Sequence, residues 1–192
     1  MGKKAGYHHG NLRAALVEAA LAILEADGLP GLTLRRVAAQ AGVSHAAPAH
    51  HFPNLQALLT ALATIAFERF TQSMARARAR AKPDPESQVR AAGRGYLAFA
   101  RSHPALFRLM FSAGDLDWQD QALQAAGAAA FRQLQEISAP FADLLGLAGE
   151  TDRRELERLI WASAHGYAHL AIDGKMPATG NPPDVARFLS KR

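Results

Sequence analysis

The chain contains no cysteine, which excludes disulfides, thiolate zinc sites and a cysteine nucleophile. No apolar run approaches the ~20 residues that a membrane-spanning helix requires. No signal-peptide apolar stretch follows Lys3 and Lys4 either. These features suit a soluble, cytoplasmic protein with no membrane partner. β-Branched residues are sparse and no strand-like alternation occurs anywhere. Also missing are a nucleophile–base motif, a paired-carboxylate signature and a glycine-rich phosphate loop. An enzyme therefore has no support from motifs, and no cofactor is implied.

What the chain has instead is alanine and leucine. Apolar residues make up 49% of its 192 positions, enough for a sizeable core, and the alanine-leucine bias favours helices. An all-α fold follows. The net charge of +5 suits a polyanionic partner, but it becomes informative only beside a motif that could present it.

Residues 33–52, TLRRVAAQAGVSHAAPAHHF, supply that motif. Thr33 can cap a short helix whose inner face is Leu34, Val37, Ala38 and Ala41. Gly42 can take the positive φ that ends it, with Val43 plugging the corner. Ser44 can cap a second short helix running through His51. Two short helices joined by a three-residue turn containing glycine form a helix-turn-helix, in which one helix braces while the other enters a DNA major groove.

Elsewhere, residues 1–9 read as a basic arm, and a first helix over 11–27 repeats Leu12, Leu16, Ala19, Ala20 and Ile23 at helical spacing. After Pro53, Asn54 can cap a long helix from Leu55 to Arg80, and Lys82-Pro83-Asp84-Pro85 marks a boundary. Helices are predicted at Glu86–Ser102 and from Pro104 to Phe111. Another starts at an Asp117/Asp120 capping box and reaches Leu145, with Pro140 bending or breaking it. A further helix starts at an Asp152/Glu155 box and reaches Asp173, and a short one spans Asp184–Lys191. The expected division is a DNA-binding domain at 1–54 and a ligand-binding and dimerisation domain at 55–192.

Residues 10–60 resemble the TetR family of bacterial transcriptional regulators. The matching blocks, in order, are Glu25-Ala26-Asp27-Gly28, Leu32-Thr33-Leu34, Val37-Ala38, Gly42-Val43-Ser44, His51-Phe52 and Ala57-Leu58-Leu59. Further along, Pro104-Ala105-Leu106-Phe107-Arg108-Leu109-Met110-Phe111 resembles a segment common in these proteins. Trp161, His165 and Gly166 resemble the W…HG signature of one ligand-binding subgroup. The resemblance implies a homodimeric regulator, a repressor, that binds a palindromic double-stranded operator and releases it when a small-molecule effector enters the C-terminal domain. The chain departs from the family at Ala49, where a tyrosine is common, and at Leu55, where a lysine is common. Both usual residues reach phosphates. A ligand-binding dimer with weakened operator affinity is therefore the alternative, with a helical-bundle enzyme behind it.

Candidate DNA contacts from the helix-turn-helix are Thr33, Arg35, Arg36, Ser44, His45, Ala46, Pro48 and His50, joined by Lys3, Lys4 and Tyr7 of the arm. Pro48 could touch a thymine methyl or simply shape its helix. His51 is expected to pack beside Phe52. Candidate ligand contacts are Phe107, Met110, Phe111, Trp118 and Phe131, together with Trp161, His165 and His169, which recur every four residues along one helical face. Those histidines could fix a ligand in an apolar pocket, be satisfied core residues, or bind a metal together with Asp173. The aromatic set suits an apolar, aromatic-tolerant effector. The dimer face is expected on the 152–173 helix and the C-terminal helix, with Ala162 and Gly166 permitting close approach.

Overall fold

The computed structural model describes residues 12–111, 116–177 and 180–190. The basic arm carrying Lys3, Lys4 and Tyr7 lies outside them. All regular elements among the described residues are helical: α1 (Leu12–Asp27), α2 (Leu34–Gln40), α3 (Leu55–Ala79), α4 (Pro85–Ser102), α5 (Pro104–Met110), α6 (Gln121–Leu144), α7 (Glu150–Ile172) and α8 (Val185–Leu189). Short 3-10 turns occupy Leu29–Gly31 and Ala47–His50.

Local chemistry sets most of these boundaries. Thr33 accepts a hydrogen bond from the Arg36 N–H at 3.1 Å, and Asn54 accepts one from the Ala57 N–H at 2.8 Å, each satisfying an orphan donor of a first turn. Gly42 takes φ 69°, and behind it Gly42 and Val43 donate to the Ala39 and Ala38 carbonyls at 3.1 and 3.0 Å. That pair of bonds is a Schellman closure of α2. Pro85 and Pro104 occupy the first turns of α4 and α5, where a missing N–H costs nothing.

Several expected boundaries move. The helix predicted from Asp117 begins at Gln121, because Asp120 is the cap, accepting from Leu123 N–H at 2.9 Å. The Asp117 carboxylate instead accepts from Gln119 N–H at 3.0 Å. Helix α7 starts at Glu150 with Gly149 as cap, so Asp152 lies inside its first turn. Helix α6 runs unbroken through Pro140, and α8 stops at Leu189.

The second helix of the motif is the largest correction. It is a four-residue 3-10 turn rather than an α-helix from Ser44 to His51, and the Ser44 side chain makes no capping bond. Pro48 has no N–H to give to the Ser44 carbonyl, and it disfavours the α region at Ala47. The Ser44 carbonyl accepts from Ala47 N–H at 3.0 Å instead.

Helices α3 and α4 form the spine. Gly95 sits where they cross, and a Cβ there would lie 2.7 Å from both Met74 Cα and the Ser73 carbonyl oxygen. The Ser73 hydroxyl donates to the Gly95 carbonyl at 2.9 Å across the same contact. One apolar core runs without a break from Leu16 and Leu24 of α1, through Leu58 and Leu62 of α3, to Phe107 of α5 and Ala168 of α7. A smaller cluster joins Val89, Ile137, Phe141, Leu156 and Ala186 at the other end of the bundle.

Candidate nucleic-acid interface and ligand cavity

At the reading head, Val37, Ala38 and Phe52 are fully buried, and the Arg13 guanidinium lies 5.3 Å from the Phe52 ring centroid. Phe52 N–H donates to the Pro48 carbonyl at 2.8 Å, which fastens the 3-10 turn to the core. Ser44, His45, Ala46, Ala49 and His50 form an exposed row, and Arg35 is exposed on α2. The side chains of Arg35, His45 and His50 make no hydrogen bond among the described residues.

Three of the candidate contacts have structural partners or are buried, and His51 departs from its expected packing. Arg36 pairs with Asp27 and donates to the Gly31 carbonyl at 3.1 Å, tying α2 to the end of α1. Pro48 is buried, in keeping with a shaping role. His51 is exposed and not packed into the core, because Arg13 takes the place beside Phe52. Thr33 commits its hydroxyl oxygen to the α2 cap.

The bundle encloses a cavity of about 450 Å³. Its interior is lined by Phe67, Phe70 and Met74 of α3, Tyr96 of α4, Leu134 and Ile137 of α6, and Ile160 of α7. Of the predicted ligand contacts, Met110, Phe111, Trp118, Phe131 and Trp161 line it. Phe107, His165 and His169 do not; they form the layer behind. The Phe107 ring is fully buried, 5.7 Å from His165 and 5.1 Å from His169, centroid to centroid.

The Tyr96 hydroxyl and His165 Nδ1 are hydrogen-bonded at 2.7 Å. Burial pushes the Tyr96 phenol far above its usual range, with the Trp161 indole opposing in part. Burial, and then the neighbouring His169, hold His165 below the ordinary imidazole value. Both shifts favour a neutral pair. The Asp173 carboxylate is paired with Arg108 at 2.5 Å. No group of three metal-ligating side chains occurs among the described residues.

Packed helices connect the cavity wall to the reading head. Helix α5 ends on Met110 and Phe111 at the cavity wall and begins beside α1, where His103 Nδ1 lies 2.8 Å from Glu25 Oε1. Asp117 N–H donates to the buried Thr60 hydroxyl of α3 at 3.0 Å. The lining from α4, namely Val89, Arg90, Ala92, Gly93, Arg94 and Tyr96, escaped the sequence reading. Its only local signal is the inward spacing of Val89, Ala92, Tyr96 and Phe99.

A helix-turn-helix head joined through packed helices to a cavity-bearing bundle defines a DNA-binding regulator. Family models place it further: residues 16–62 match the tetR family of bacterial regulatory proteins, and residues 89–191 match the Tetracyclin repressor-like C-terminal domain. The chain belongs to the TetR family of DNA-binding transcriptional regulators, which are not enzymes. A protein of unknown function from Rhodococcus sp. RHA1 is 34% identical, with 97% of this chain and 94% of that one covered at a TM-score of 0.78. A TetR-like transcriptional regulator from the same organism shares the fold at 16% identity and a TM-score of 0.65, over 96% of this chain and 94% of that one. The TetR family regulator PfmR from Thermus thermophilus does so at 18% identity and 0.62, over 97% and 95%. No curated protein matches the sequence. No helix among the described residues is long and apolar enough to cross a membrane.

Proposed function

We propose that this chain is a cytoplasmic, ligand-responsive repressor that binds a palindromic operator as a homodimer and lets go when a mostly apolar small molecule fills the cavity. The observation that carries this reading is the aromatic cavity itself, of a size that suits small-molecule ligands. It shares a continuous core with the reading head. Residues 1–54 act as the DNA-binding part and 55–192 as the ligand-binding and dimerising part, with α3 packed into both. Trp161, His165 and Gly166 support membership of the W…HG subgroup.

Direct contacts fall to Arg35, Ser44, His45, Ala46 and His50, the exposed row, with Lys3, Lys4 and Tyr7 reaching the backbone. Arg36, Thr33 and Pro48 position that row. The dimer face is the exposed stripe Leu159, Ala162, Gly166 and Leu170 on α7, where Gly166 has open space above its Cα. Two-fold pairing there would set the separation of two reading heads. A ligand that favours another separation shifts the population away from DNA.

A gel shift with the DNA that flanks this protein's own gene tests the reading. Retention that is specific and weakens with salt is the expected result. Absence of retention even at low salt would favour the ligand-binding dimer without operator affinity, a reading that Ala49 and the short 3-10 turn support.

A further inference from the structure

We propose, resting on the reading that this cavity takes the effector, that the effector is an organic anion. Its apolar body fills the aromatic interior, and its carboxylate or similar acid group meets Arg94 at the mouth. The interior offers a deeply seated polar head almost nothing. The one buried hydroxyl there, on Tyr96, is committed to His165 at 2.7 Å. Apart from the half-buried Ser163 of α7, the remaining polar lining gathers between α4 and residues 181–186.

At that mouth the charges are unequally partnered. Arg90 Nε donates to both Asp184 oxygens at 3.0 and 2.9 Å, and its Nη2 donates to Glu86 at 2.6 Å. Asp184 also caps α8, accepting from Arg187 N–H at 2.9 Å. Arg90 and both carboxylates are therefore committed to one another. Arg94, one turn along α4, lines the same cavity with an exposed side chain that has no hydrogen bond or ion pair among the described residues. A guanidinium presents a planar fork of donors that matches a carboxylate in a bidentate pair. Beside an apolar wall such a pair is screened less than in open water. Burial of the body and pairing of the head then select one class of molecule, an amphiphilic acid.

Trp118 and Trp161 are the chain's only tryptophans and both line the cavity, so intrinsic fluorescence reports occupancy. The full-length protein is titrated with 4-phenylbutyrate, 4-phenylbutanol and 4-phenylbutylammonium, and with decanoate against decanol. Each acid is expected to bind about tenfold more tightly than its alcohol, and the ammonium more weakly than either. Arg94→Gln is expected to bring the acid down to the level of the alcohol, and Arg94→Lys to keep part of the advantage. Equal binding of acid and alcohol, a preference for the ammonium, or an Arg94→Gln variant with the full acid preference overturns the acid class and leaves the apolar-cavity reading standing. No fluorescence response to any of them overturns both.

Discussion

Single residues in this chain divide sharply between those whose local chemistry is decisive and those whose surroundings decide. Gly42 belongs to the first kind. Its Cβ position is open, so a Gly42→Ala change meets no clash and costs only the strain of φ 69°. A loss of about 1–2 kcal/mol in chemical denaturation is expected. His165 belongs to the second kind. As the pH falls below the ordinary value of 6.5, the unfolded chain takes up a proton before the folded one, whose pKa is lowered. The stability of the neutral site is complete above that value and is lost as pH falls towards the folded pKa. Thermal unfolding of the native protein should therefore decline more steeply between pH 7.5 and 5.5 than that of His165→Gln. Parallel declines would contradict a half-buried, neutral His165.

At the scale of elements, helix ends marked by asparagine, glycine or proline were legible because those signals act within a few residues. Thr33, Gly42 and Asn54 stand where the sequence placed them. The reading turn was not legible as a 3-10 turn, since its form depends on Pro48 withholding a single bond. Neither Asp117 nor Asp152 could be told from a true cap by spacing, because each has a rival cap three residues away. The cavity was half legible: the aromatic residues of α5 to α7 announced it, whereas the α4 wall exists only through the α3–α4 crossing. Gly95 fixes that crossing by admitting the α3 backbone. Gly95→Ala should force the helices apart and cost about 1–3 kcal/mol, with weakened ligand-induced fluorescence changes. A variant as stable as the parent would refute the close approach.

For the whole molecule, the proposed dimer would hold two reading heads at one separation that an occupied cavity could change. The exposed leucines of α7, Leu159 at 46% and Leu170 at 41%, are the apolar area such a dimer would cover. A Leu159→Glu/Leu170→Glu double variant should sediment as a folded monomer and lose operator retention, whereas an unchanged sedimentation coefficient would move the interface elsewhere. The central claim, that the exposed row beside the buried Phe52 reads DNA, is tested most directly by one titration. Fluorescence anisotropy of labelled DNA from beside the protein's own gene is followed across a salt series for the native chain and for Arg35→Ala/His50→Ala. The native chain should prefer this DNA to a scrambled duplex, with affinity falling linearly in log salt. The double variant should bind more weakly with a shallower slope, by roughly one unit for each phosphate no longer neutralised. Identical curves for the two proteins, or no preference over the scrambled duplex, would contradict it.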